Sequence, residues 1–189
     1  MQNTPKGEKR RMIDKIELTK EILMDAATYM PLNDKEAWVS ENAPKCFDKL
    51  AITADNEPLP PMYMLNTGLK SRYLMAILVG GYLNLEIKTE ERDAGLMSVE
   101  DYDRWAGNHV LNQIERMKKD ADVRDTCYDL LADFKDLEKR FSAQLNGLLT
   151  IQNDTVIRQS EYTATQMKEE LPLILEQLKE LQGKGEASG

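Results

Sequence analysis

The chain has 189 residues, 41% of them hydrophobic, with 25 basic against 33 acidic side chains and a formal net charge of −8. That length suits one domain, or a domain with an appendage, and there is enough Leu, Ile, Val and Phe to build a core. The balance excludes a membrane protein, a collagen-like fibre, a disulfide scaffold and a strongly basic nucleic-acid wrapper.

Leu and Met outnumber Val and Ile by about two to one, and such side chains lose little rotamer freedom in a helix. No two-residue alternation ending in a hairpin turn stands out. The expected fold is all-α: an irregular bundle of roughly five to seven helices with a long, partly heptad-patterned C-terminal arm. Residues 1–12 read as a flexible basic arm, 13–121 as the bundle, 122–182 as a helical arm that packs on the bundle or self-associates, and 183–189 as a disordered tail.

The first helix is expected from Thr19, with Leu18 and Leu23 as a hydrophobic staple and Ile22, Leu23, Ala26, Ala27 and Met30 at helical spacing up to Pro31. Asn33 with Glu36 reads as a capping box for a short helix carrying Trp38 and Val39, which Pro44 breaks or restarts ahead of Cys46 and Phe47. Residues 53–61, with Pro58, Pro60 and Pro61, form the clearest loop. A helix from about Thr67 to Leu83 follows, apolar nearly all round, as the centre of a bundle requires. Its adjacent Gly80 and Gly81 point to close approach of a neighbouring helix.

Residues 84–97 read as a polar connector. Ser98 then caps a helix whose buried stripe is Tyr102, Trp105, Ala106, Val110, Ile114 and Met117. Asp122 is the expected cap of the last long element. There Cys127, Phe134, Phe141 and Leu148 recur every seven residues, and Leu130, Leu137, Gln144 and Ile151 do so three positions later. That is an a/d seam with one polar position, Gln144. Leu131 and Leu145 widen it toward an ordinary core stripe. Asn146–Gly147 is the natural place for a break, and after Ile151 the seam fades into Thr155 and Arg158. A final helix carries Leu171, Ile174, Leu175, Leu178 and Leu181 on one face, with Pro172 near its start and Gly183 past its end.

Reactive chemistry is sparse. Cys46 and Cys127 form no CxxC and read as small apolar core residues of a reducing compartment, although Cys46 in its Pro-Lys-Cys-Phe context is the more exposed candidate. Met1–Arg11 holds no apolar run of the roughly 7–15 residues a secretory leader needs, so a cytoplasmic location is expected. His109, the single histidine, has Ala106 where a Glu-x-x-His pair needs its carboxylate. No phosphate-binding loop occurs, and no cofactor, metal or catalytic residue is expected. The pairs Asp101/Asp103 and Asp133/Asp136 read as solvated helix faces. Aromatic residues make up 6% of the chain, and apart from Lys70 and Arg72 beside Tyr73 they are not interleaved with basic ones, which disfavours direct nucleic-acid binding.

What remains is interaction. Glu86, Glu90, Glu91, Asp93, Glu100, Asp101 and Asp103, against Lys88, Arg92 and Arg104, form the candidate contact patch for a basic protein partner. In size, acidity and lack of motifs the chain resembles the accessory proteins of phages and mobile elements, anti-CRISPR proteins among them. That likeness of bulk properties implies an inhibitor of a basic nucleic-acid-handling protein. The competing expectation is a coiled-coil assembly protein, a homo-oligomer joined through the seam from Cys127 to Ile151. A small enzyme built on Cys46 or a carboxylate cluster ranks third.

Overall fold

The structure, a computed structural model, describes residues 16–54 and 57–186. It is mostly helical with a few small strands. The expected arm at 1–12 lies outside the described residues. The chain divides into two units, Met1–Cys46 with Asn66–Gln144, and Phe47–Leu65 with Leu145–Gly189.

In the first unit, helix α1 (Lys20–Met24) opens where expected: Thr19 is its cap, and its hydroxyl accepts from the Ile22 amide. It stops well short of Met30. The Ala27 amide donates to the Tyr82 carbonyl and the Met30 amide to the Asp133 carboxylate, so tertiary acceptors take the donors that further helical turns would have used. Helix α2 (Leu32–Asn42) is capped by Pro31, whose carbonyl accepts from Asp34 and Lys35; Asn33 lies inside the helix and is not its cap. A single 3₁₀ turn, Pro44–Cys46, follows.

Asn66 caps α3 (Thr67–Ala76) by accepting from the Leu69 amide, and the helix then widens into a π-helical stretch, Ile77–Tyr82. Tyr73, Leu74, Ala76, Leu78, Val79, Tyr82 and Leu83 are buried along it. The two glycines do not meet a helix. A Cβ on Gly80 would stand 3.3 Å from the Ile87 side chain of the returning chain, and one on Gly81 would stand 2.8 Å from Ile77 of its own turn. The space they leave admits side chains of the wide turn and its return.

The supposed connector 84–97 contains a short antiparallel hairpin, β3 (Thr89–Glu90) with β4 (Asp93–Met97). Ser98 caps α4 (Val99–Gly107), accepting from the Asp101 amide at 3.2 Å. The single helix expected here is broken at His109, which adopts φ 52°, ahead of α5 (Val110–Met117). The break is held from outside. Asn108 Oδ1 accepts from the Ile16 amide and Gln113 Oε1 from the Leu18 amide, while Gln113 Nε2 donates to the Ile16 and Asn108 carbonyls.

Helix α6 (Arg124–Glu186) starts after Asp122, whose carboxylate takes the Lys20 ammonium at 2.9 Å and does not cap it. It is one helix, not two. It continues through Asn146–Gly147, through Pro172 and past Gly183 to Glu186, so the expected tail is helical at least to there. A helical glycine costs only about 1 kcal/mol relative to Ala. Gly147 has nothing within 4 Å of its missing Cβ, and around Pro172 the helix is exposed, so water reaches the carbonyl that the proline leaves unpaired.

The second unit corrects the all-α expectation again. Strands β1 (Phe47–Ala54) and β2 (Glu57–Leu65) pair antiparallel, from Phe47 opposite Leu65 to Ala54 opposite Glu57. A register shift between Leu50 and Ile52 interrupts the two-residue alternation that would have marked a strand. The same shift leaves Pro60 and Pro61, between Leu59 and Met62, outside the paired positions, where their missing N–H groups break no ladder bond. Within this unit Pro61 and Tyr63 of β2 share a shallow groove with Ile151, Gln152, Thr155, Val156 and Gln159 of α6.

Candidate functional site

The carboxylates of residues 86–103 divide by what holds them. Asp101 is buried at 3% exposure, and its Oδ2 accepts from the Lys88 amide at 2.9 Å. The Ser98 amide donates to the Lys88 carbonyl, so the backbone of Lys88 is held on both sides against the first turn of α4. Glu90 pairs with Arg72, which also donates through Nε to the Met97 carbonyl at 2.7 Å. Asp93 accepts from the Tyr73 hydroxyl and the Gly95 amide, and lies 3.6 Å from Lys45 Nζ. Burial pushes the Asp93 carboxyl up, but these donors together outweigh it and hold it below the usual carboxylate value. Burial and the neighbouring carboxylate push the Tyr73 phenol up. Three of the seven expected patch residues therefore act inside the unit, while Glu86, Glu91, Glu100 and Asp103 remain exposed. The burial of Asp101 had a signal in the sequence: it precedes Trp105 by four residues on the buried stripe.

Asp133 is not part of a solvated face, whereas Asp136 beside it stays 42% exposed. Lys35 Nζ stands 2.5 Å from Asp133 and 3.1 Å from Asp136, with its side chain 5% exposed, and lies over the Tyr29 ring. Asp133 Oδ2 also accepts from the Tyr82 hydroxyl at 2.7 Å and the Met30 amide at 2.9 Å, and Asp136 from Arg140. Burial opposes the charge of Asp133, yet its donors hold the carboxyl below its ordinary value; likewise the two carboxylates raise Lys35 despite its burial. Burial, then Asp133, raise Tyr82. Each group's titration is thus moved further from neutral pH, with Asp133 and Lys35 held charged and the Tyr82 phenol held neutral. Proton transfer works best when a group titrates near the working pH, so the cluster suits anchoring rather than acid–base chemistry.

Cys46 and Cys127 are both free and buried, the small apolar core residues that their spacing suggests, so Cys46 is not the exposed thiol that its Pro-Lys-Cys-Phe context allowed. Burial pushes the Cys46 thiol up to about 11 and raises Cys127 too. At pH 8 the Cys46 thiol is then held almost wholly in its unreactive protonated form. Both cysteines are expected to resist Ellman's reagent in the native protein and to react together in denaturant; rapid native labelling of either would refute their placement. His109 is exposed at the helix break. Among the described residues no group of three or more His, Cys, Asp or Glu side chains is placed to hold a metal ion.

The chain matches no known protein family, no curated protein and no solved structure.

The heptad seam is split between two environments. Cys127, Leu130, Phe134, Leu137 and Phe141 are buried in the first unit, where Phe141 packs against Trp38 and Phe134 edge-on against Tyr82. Gln144 is exposed, Leu148 half-buried and Ile151 64% exposed. The first five side chains are enclosed by a single copy of the chain. From residue 157 to 176 every residue of α6 is exposed. No helix among the described residues is long and apolar enough to cross a membrane.

Proposed function

We propose that this is a non-enzymatic protein-interaction protein whose contact surface is the exposed stretch of α6. The observation that carries the proposal is the display of Ile157, Tyr162, Met167, Leu171, Leu173, Ile174 and Leu175, each 51–66% exposed, on one helical segment. Apolar surface gathered in this way marks an interaction site more than a solvated face. With the buried seam residues and three of the acids engaged inside the first unit, this segment is a surface still open to a partner, and its Tyr, Met and Leu side chains are of the kind found at interface cores.

A second reading, inhibition of a basic nucleic-acid-handling protein in the manner of phage accessory proteins, draws on the bracketing of Lys88 by Asp101 and Ser98. That arrangement ties the backbone at Lys88, between Glu86 and Glu91, to the start of α4, the helix that carries Glu100 and Asp103. Affinity capture from host lysate separates the two, with the wild-type chain, a Leu171→Glu/Ile174→Glu variant and a Glu86→Lys/Glu91→Lys/Glu100→Lys variant as baits. The α6 reading expects the helix variant alone to lose its partner, whether a host protein or a tagged copy of the chain, with little effect of salt. Loss only with the charge variant, growing steeply with salt, would overturn it in favour of the inhibitor.

A further inference from the structure

We infer that the occupant of the exposed α6 surface is a second copy of this chain, aligned parallel and in register through a heptad seam distinct from the one that begins at Cys127. This rests on the interaction reading above and names its partner. Continued past Ile151, the first register would place Thr155 and Arg158 at its next two core positions. Two residues further on a second register begins, with Ile157, Ala164 and Leu171 at a and Ser160, Met167 and Ile174 at d; the sequence extends it to Leu178 and Leu181. Seven of these eight positions are apolar. A repeat of 3.5 residues is the period that keeps one stripe facing another helix of a left-handed supercoil.

Three observations favour a copy of the chain itself. First, among the described residues the segment has little cover of its own: residues 157–176 are all exposed, and only its first turn, as far as Gln159, borders the groove shared with β2. Most helical stability comes from packing, and this stretch carries Ile157, Thr163, Thr165 and Pro172, which are poor helix formers. A helix of that composition gains its stability from being covered. Second, the flanking charges select an orientation. Parallel in-register pairing sets Val156, Thr163 and Glu170 at g against Glu161, Lys168 and Leu175 at e of the other copy, with no like charges opposed. Antiparallel pairing with full overlap would set Lys168 against Lys168 and Glu170 against Glu170. Third, Pro172 falls at b, outside the seam, so its ring does not obstruct the pairing. Leu at a followed by Ile at d, as in Leu171 and Ile174, is a pattern that favours three or four strands over two.

Sedimentation of the full chain tests this. The wild type is expected at two or more times the 21.6 kDa of one chain. Leu171→Glu/Ile174→Glu is expected at one chain's mass. Leu173→Glu, which changes an equally exposed leucine at c, is expected to keep the wild-type mass. Ser160→Cys places a thiol at a d position and should form a disulfide-linked dimer under mild oxidation, whereas Tyr162→Cys, at f, should not. A wild type at the mass of one chain throughout, an unchanged mass for the Leu171/Ile174 variant, or a Leu173→Glu variant that dissociates equally would overturn the inference. Should the chain prove monomeric while that same double variant still loses a captured host protein, self-association fails and the interaction reading stands. Should the double variant also capture normally, both fail.

Discussion

Replacing Phe141 with Lys is expected to unfold the first unit rather than to dissociate an oligomer. The Phe141 side chain is fully buried, its ring 4.9 Å from that of Trp38 at a tilt of 51°. Truncating such a ring costs about 3–5 kcal/mol, and an ammonium with no partner in the same space adds a desolvation penalty. The sum approaches the roughly 5–15 kcal/mol that holds a whole domain together. Phe134→Lys is expected to behave alike, since Phe134 is 4% exposed and meets Tyr82 edge-on at 5.9 Å. The measurement is far-UV circular dichroism with urea titration followed by tryptophan fluorescence, run beside sedimentation. Loss of a cooperative transition is the expected result. A cooperatively folded chain of reduced mass would instead put these rings between copies.

That contrast shows what heptad spacing conveys. Cys127, Leu130, Phe134, Leu137 and Phe141 were legible as a stripe that must be covered, and they are covered. Spacing cannot state by whom, because an a/d stripe against α2 and the Tyr82 turn has the same period as one against another chain. The helix starts at Thr19 and Ser98 were legible because capping is chemistry between near neighbours. The helix ends were not. Helix α1 stops because Tyr82 and Asp133, far away in sequence, accept its would-be donors, and the break at His109 depends on Ile16 and Leu18. The hairpins were concealed for different reasons: a register shift breaks the alternation of β1, and the second hairpin pairs too few residues to show any. In the acidic patch, composition gave the number of carboxylates but not their partners. Arg72, Tyr73 and the Lys88 amide reach Glu90, Asp93 and Asp101 only once α3, the hairpin and α4 are assembled.

The Lys35 cluster carries the second large effect. Lys35→Ala is expected to cost about 3–5 kcal/mol, the usual penalty for leaving one member of a buried ion pair alone. It would strand Asp133, whose side chain is only 10% exposed, while the Met30 and Tyr82 donors stay in place. Asp136, 42% exposed, is solvated well enough to add little. Lys35→Met combined with Asp133→Asn should recover more than half of the loss, because the amide oxygen still accepts from Tyr82 or Met30 and no charge is left unpaired. The pH dependence follows from the direction of each shift. The folded carboxyl of Asp133 lies below its ordinary 3.8, so its contribution is complete above that value and disappears as pH falls through the lower, folded one. Lys35 lies above its ordinary 10.5, so its contribution is complete below that value and is lost as pH rises through the higher, folded one. Between about pH 5 and pH 9 the pair adds no slope to stability. Urea midpoints of the wild type and of the Lys35→Met/Asp133→Asn variant should therefore keep a constant separation across that range and converge in stronger acid. A separation that already shrinks near neutrality would mean that Asp133 or Lys35 changes charge there, which would restore the cluster as a candidate for acid–base chemistry.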